Sequence, residues 1–168
     1  AGESSQDIAW FENNGDEQFT KHLIVGDFRG AHWIHALDMD KDGDIDVVGG
    51  ACFEADIAWF ENDGAHNFTE HTIDGDFRGV YGVFAGDVDL DGDNDIIGAA
   101  AWDDEICWWE SDGSPDPAFT SHVVDNDIND PWRIITKDID CDGDLDIIGI
   151  AATGGILKIW YNDGHQNY

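Results

Sequence analysis

Three stretches of the chain place an aspartate at every second position. They read DMDKDGDID (38 to 46), DVDLDGDND (87 to 95) and DIDCDGDLD (138 to 146), all of the form D-x-D-x-D-G-D-x-D. With Asp38 as position 1, the residues Asp38, Asp40, Asp42, Asp44 and Asp46 fill positions 1, 3, 5, 7 and 9, and Gly43 stands at position 6. Asp87, Asp89, Asp91, Asp93 and Asp95 repeat the pattern, as do Asp138, Asp140, Asp142, Asp144 and Asp146. Carboxylates this dense repel one another strongly unless a cation lies among them. Alternating oxygen donors, a glycine that permits a sharp turn at position 6 and a main-chain carbonyl at position 7 are what a calcium loop requires. Oxygen-only ligation favours calcium over zinc or copper, and a flexible set of about six or seven oxygens favours it over magnesium. The expectation is one Ca2+ in each of three loops. The carboxylate at position 9 binds directly, and the side chain at position 7 points away while its carbonyl coordinates. Where a helical calcium loop carries a bidentate Glu, at position 12, these copies have Gly49, Gly98 and Gly149. Each loop is therefore expected to join two strands, where the ion pins a turn.

The loops belong to a longer repeat. DIAWFENNG (7 to 15), DIAWFENDG (56 to 64) and EICWWESDG (105 to 113) recur every 49 residues, and LKIWYNDG (157 to 164) begins a fourth copy. FTKHLI (19 to 24), FTEHTI (68 to 73) and FTSHVV (119 to 124) follow in turn, the last delayed two residues around Pro115 and Pro117. Each unit holds four short apolar runs, such as AHWIHALDM, IDVVGGA, DIAWFEN and FTEHTI, broken by Asp-Gly, Asn-Gly or Gly-Asp turns. Their Ile, Val, Phe, Trp and Thr content marks strands, and no stretch keeps a 3.6-residue apolar period. The run Ile57, Ala58, Trp59, Phe60 is apolar on both alternating faces, so both faces of its sheet should be covered. A four-stranded unit of 49 residues hidden on both faces by identical neighbours matches one blade of a β-propeller. The fold expected is all-β, with about three and a half blades in one partial domain over 1–168 and repeats at 7–55, 56–104, 105–154 and 155–168. Trp10, Trp59, Trp108, Trp109 and Trp160 then serve blade-to-blade packing.

These residues resemble the FG-GAP/VCBS-type calcium-binding propeller repeats of integrin α-subunits and many secreted microbial proteins. The resemblance covers 7 to 164 and rests on the aspartate loop followed by an apolar pair and Gly, on I-A-W-F-E-N-D-G and on F-T-x-H-x-I. It implies a calcium-stabilised propeller that is extracellular, secreted or at a cell surface. The family includes lectins, adhesins, lyase-associated domains and receptor heads. The third copy departs from the pattern at Cys141, at the proline insertion, and at Asp127-Ile128-Asn129-Asp130, which replaces Gly-Asp-Phe-Arg-Gly.

Four-stranded meanders put the aspartate loops and the Asn-Asp-Gly turns at one end. The opposite end then collects Arg29, His32, Trp33 and Phe53, Arg78, Tyr81 and Trp102, and Trp132 and Arg133. Aromatic rings beside arginines and carboxylates suit a sugar, so Arg29, His32, Arg78, Tyr81, Trp102 and Trp132 are the expected ligand contacts. His22, His71 and His122 recur inside the fourth strand and are read as structural. Asn67-Phe68-Thr69 is a sequon at a strand start, read as fortuitous.

The chain carries 38 Asp and Glu against seven Lys and Arg, a net charge of −31. That excludes the footprint of a nucleic-acid or anionic-membrane binder and favours a cationic partner. With 42% hydrophobic residues it can build a core, and no run reaches the roughly eighteen apolar residues of a membrane span. The opening AGESSQDIAW lacks a charged-then-apolar leader, giving the expectation of a soluble, mature or excised segment. Cys52, Cys107 and Cys141 leave at least one thiol unpaired within the chain. There is no G-x-S-x-G, phosphate-cradling loop or H-E-x-x-H. Three functions stay open: a saccharide- or glycoprotein-binding lectin or adhesin module, the propeller portion of a polysaccharide lyase or sugar dehydratase, and an architectural surface or filament subunit. Thirteen expected strands would supply the third strand of the closing blade twice, so the chain is expected either to be an excerpt of a longer propeller or to form a homo-oligomer.

Overall fold

The computed structural model of the protein describes residues 6–162; Asp163 and Gly164 of the fourth copy lie outside the described residues. Among the described residues the regular structure is entirely β, and no helix is long and apolar enough to cross a membrane. The strands are β1 (Asp7–Asn13), β2 (Phe19–Gly26), β3 (Ala31–Leu37), β4 (Asp46–Ala51), β5 (Asp56–Asn62), β6 (Phe68–Asp74) and β7 (Val80–Gly86). They continue as β8 (Asp95–Ala100), β9 (Glu105–Ser111), β10 (Phe119–Asp125), β11 (Pro131–Lys137), β12 (Asp146–Ala151) and β13 (Ile156–Trp160).

The strands form antiparallel meanders. Two sheets have four strands, β3-β4-β5-β6 and β7-β8-β9-β10; β1-β2 form a pair and β11-β12-β13 a triplet. This is the arrangement of propeller-like blades, with the strand boundaries falling where the Asp-Gly and Asn-Gly turns put them.

Successive sheets stack on apolar faces. Val48, Ile57 and Trp59 of the first full sheet meet Val83, Ala85, Ile96 and Trp109 of the second. Ile97, Ile106 and Trp108 on the second sheet's other face meet Ile134, Ile147 and Trp160 of the triplet. Ile8 and Phe28 cover Val47, Ala58 and Phe60. The apolar run 57–60 is thus buried on both faces, as its pattern requires. Each large side chain so buried contributes about 2–3 kcal/mol. The glycine after the apolar pair of the second strand has a packing reason: a Cβ on Gly98 would stand 2.5 Å from Ile57 Cδ1 and 2.9 Å from the Trp109 ring. Trp59, Trp108, Trp109 and Trp160 are buried between sheets as expected. Trp10 is only half-buried, because the β1-β2 pair has no first and second strand beside it.

Candidate functional site

Each aspartate loop links the first and second strands of a sheet, 38–45 between β3 and β4, 87–94 between β7 and β8, and 138–145 between β11 and β12. The chain turns by stepping twice into left-handed backbone. Gly43, Gly92 and Gly143 at position 6 have φ of 103°, 102° and 108°, and position 4 joins them: Lys41 at 63°, Leu90 at 63° and Cys141 at 66°. Nothing in the types Lys, Leu and Cys signals that second left-handed residue, and a non-glycine residue there costs about 1–2 kcal/mol. Short Asx turns hold the path: the Asp42 amide donates to Asp40 Oδ1 at 3.1 Å, and the Asp44 amide to Asp42 Oδ1 at 2.9 Å. The second loop repeats both bonds through Asp89 and Asp91.

Carboxylate oxygens of Asp38, Asp40 and Asp42 converge within 4.8 Å, as do those of Asp87, Asp89 and Asp91, and those of Asp138, Asp140 and Asp146. Each trio could hold a metal ion. The donor set fits a hard cation: Asp38 Oδ1 and Asp87 Oδ1 are buried without a hydrogen-bond partner, the condition a carboxylate oxygen avoids unless an ion satisfies it. Burial, followed by the neighbouring carboxylates, pushes the Asp40 and Asp89 carboxyls above their ordinary range.

Position 9 does more than the sequence indicated. Asp46, Asp95 and Asp146 are wholly buried, and each accepts two main-chain hydrogen bonds. Asp46 Oδ2 takes the Met39 amide at 2.9 Å and Oδ1 the Asn62 amide at 2.8 Å, tying the loop to the end of β5. Asp95 does the same for Val88 and Ser111, and Asp146 for Ile139 and Asn162. Burial raises the Asp46 carboxyl and pushes Asp95 up to about 7. At position 7 the side chains turn from the loop centre toward the next hairpin. A Cβ on Gly64 would lie 2.4 Å from Asp44 Oδ2, and one on Gly113 would lie 1.8 Å from Asp93 Oδ2. The aspartate loops and the Asn-Asp-Gly turns therefore share one end.

At the other end, β3, β7 and β11, the first strands of the three larger sheets, have a bulge in the same place. Ala31 pairs with Ala51 and Trp33 with Gly50, which leaves His32 as the extra residue; Tyr81 and Trp132 are the extra residues of β7 and β11. A bulge re-aims its side chain out of the sheet's alternation. The three re-aimed rings form a ladder across successive sheets, His32 to Tyr81 at 4.5 Å edge-on and Tyr81 to Trp132 at 5.2 Å and 10°. Asp130 Oδ1 accepts the Trp132 indole N–H at 2.9 Å, and Trp132 is 42% exposed.

A second aromatic pair lies on the turns between second and third strands. Phe53 and Trp102 are half-exposed with ring centroids 5.9 Å apart. Trp102 rests on Gly79, whose φ is 73° and whose Cβ would fall 2.6 Å from the ring. The adjacent Arg78 is held by Asp103, which accepts its Nε at 2.8 Å and its Nη2 at 2.5 Å. Phe53 rests on Gly30 in the same manner, beside the exposed Arg29. Arg133 caps the Trp33 ring at 4.4 Å. The six expected ligand residues therefore divide between the ladder (His32, Tyr81, Trp132) and the turns (Arg29, Arg78, Trp102).

The strand histidines have a repeated packing role. His22, His71 and His122 stack on Trp10, Trp59 and Trp108 at 4.3, 4.5 and 4.7 Å. Each Nε2 meets the glutamate two residues beyond that tryptophan, at 3.0 Å for Glu12, 2.7 Å for Glu61 and 2.9 Å for Glu110. The recurrence of Trp-x-Glu followed by F-T-x-His was the signal in the sequence, its spacing lengthened by two residues in the third copy. No disulfide joins the three cysteines; Cys52 and Cys107 are buried and Cys141 is exposed.

A family model described as FG-GAP-like repeat matches residues 1–49 and 87–149 of the chain. No curated protein matches it. The span between the two matched segments carries DIAWFENDG and FTEHTI, copies of matched motifs in the first segment.

Proposed function

The chain belongs to the FG-GAP-like repeat family, and from that premise we propose that it is a calcium-stabilised extracellular module that binds saccharides, free or on glycoproteins. Its 1–168 span is read as a single partial propeller domain. Asp38, Asp40, Asp42 and Asp46, with the Asp44 carbonyl, would hold one Ca2+, and the corresponding residues of the other loops would hold two more. Bound there, calcium offsets the repulsion among the carboxylates and fixes the turn between two strands. The orphaned buried oxygens of Asp38 and Asp87 support this part of the reading.

The observation that carries saccharide binding is the triple bulge. The register between first and second strands breaks at the same place in three successive sheets, and each time the residue released is aromatic: His32, Tyr81, Trp132. The exposed Trp132 ring of the ladder, and on the turns the half-exposed Trp102 ring beside the Arg78–Asp103 pair, offer stacking for a pyranose and charged hydrogen bonds for its hydroxyls. The net charge of −31 leaves nucleic acid and anionic lipid as unfavourable partners. A glycan array probed with calcium and again with chelator tests ligand class and metal dependence together. Binding of no glycan in either condition by the folded protein removes the saccharide reading.

The same reading extends to assembly. Phe11 is 59% exposed although its copy Phe60 is 1% exposed, and Leu157 is exposed although Ile57 and Ile106 are buried. A further blade of this repeat, from the same polypeptide or a second copy, would cover both. Light scattering in calcium tests the second-copy case, which a stable monomer at micromolar concentration would remove.

A further inference from the structure

The first two aspartate loops touch each other across the boundary between sheets. Lys41, at position 4 of the first loop, extends its Nζ to the Gly92 carbonyl and to Asp93 Oδ1, the latter at 2.8 Å. In the opposite direction Asn94, at position 8 of the second loop, donates Nδ2 to the Asp38 carbonyl at 2.8 Å. Two of the three bonds, to the Gly92 and Asp38 carbonyls, end on the backbone of the ligand loops. Asp38 supplies the first carboxylate of its loop, and Gly92-Asp93 is the turn that aims the position-7 carbonyl of the second. The second and third loops cannot copy the contact: position 4 of the second is Leu90 and position 8 of the third is Leu145, whose side chains cannot donate a hydrogen bond.

Resting on the calcium reading above, we propose that Lys41 and Asn94 are positioning residues that couple ion binding in the first two loops, while the third loop fills independently. An ion that orders 38–46 fixes the backbone from which Lys41 reaches out, and so fixes the 92–93 turn before the second ion arrives. Asn94 transmits the reverse effect to Asp38. The ordering need be met only once for the pair, which makes the second ion bind more tightly than the first. Lys41 also brings a positive charge to a loop that takes a cation, and this opposes binding at the second site. Coupling requires that ordering exceed that repulsion, which is smaller because the ammonium meets the outward-turned Asp93 side chain instead of the loop centre.

Calorimetric titration of the full chain with Ca2+ tests this, using variants that isolate pairs of loops. Asp140→Ala leaves the first two loops, whose second ion should bind at least about fivefold tighter than the first. Asp89→Ala leaves the first and third, which should bind without interaction. Adding Lys41→Leu and Asn94→Leu to Asp140→Ala should bring the fivefold ratio to one. Lys41→Arg should preserve it, and circular dichroism in calcium should show the sheets intact. Independent binding in Asp140→Ala, or cooperativity that survives the leucine pair, overturns the proposal. Should the unaltered chain bind no ion at all, the metal reading itself falls, a result distinct from three ions that bind without coupling.

Discussion

Lys21 Nζ lies 3.0 Å from Asp7 Oδ2, bracing β1 against β2; in the next sheet the residue at the Lys21 position is Glu70, and it faces Asp56, the copy of Asp7. One repeat thus has an ion pair where the following repeat has two acids. Burial raises the Asp56 carboxyl to about 6, with Glu70, Glu54 and Asp74 adding repulsion. The folded-state value lies above the unfolded one, so ionisation opposes folding. The penalty is complete above about pH 6, fades as the pH falls through that value, and is absent below the ordinary aspartate value of 3.8.

Glu70→Lys should therefore stabilise the protein at pH 7 by about 0.5–1 kcal/mol, the range of a partly exposed pair. Asp56→Asn should also stabilise it at pH 7, and its advantage over the unaltered protein should shrink between pH 7 and pH 4. Melting of the three proteins side by side in calcium measures both effects, since the loops are common to all. A Glu70→Lys protein that melts lower at pH 7 contradicts the account.

Removing calcium should lower the melting temperature by many degrees. At a hundredfold excess over its dissociation constant, each ion stabilises by about 2.7 kcal/mol, which in a chain of this size is about 5–10 °C. Scanning calorimetry with and without chelator, paired with elemental analysis of the purified protein, checks it. Unchanged melting or absence of bound calcium would remove the metal from the picture.

Positions 5 and 9 of a loop should behave differently when substituted. Asp42→Ala should reduce stability in calcium and leave the calcium-free protein almost unchanged. Asp46→Ala should weaken both forms, because the Met39 and Asn62 amides lose their buried acceptor at about 1–3 kcal/mol each. Urea melts of each variant in both conditions separate the two roles, and equal behaviour would show that Asp46 serves only the ion.

At the end opposite the aspartate loops, the saccharide proposal predicts that Trp102→Ala should diminish retention on a carbohydrate matrix with little change in melting, because the ring is half-exposed. Gly79→Ala should destabilise by about 2 kcal/mol or more, since alanine at that positive φ is strained and its Cβ would overlap Trp102. Retention unaffected by loss of Trp102 would place saccharide contact elsewhere.

The strands were legible because Asp-Gly and Asn-Gly turns interrupt β-rich runs at a fixed period, and Trp59 with His71 was legible as structure because the pair recurs. The aspartate clusters followed from spacing alone. The bulges at His32, Tyr81 and Trp132 were not readable, since register depends on the partner strand and no residue type announces the extra position. Nor was the double duty of Asp46, which depends on amides that the fold delivers from Met39 and Asn62. The Lys41–Asp93 contact joins residues on different sheets, and only their stacking brings the two together.

Gly30 and Gly79 have a consequence for how such a surface can diversify. The glycine and its left-handed backbone form a socket, and the ring laid in it is Phe53 in one repeat and Trp102 in the next. Ring identity can be exchanged without moving the scaffold, so the saccharide recognition proposed for this end could be rewritten one repeat at a time. Grafting the Trp102-Asp103 dipeptide onto 53–54, for example, would give two like cassettes side by side, a plain starting point for engineering multivalent specificity.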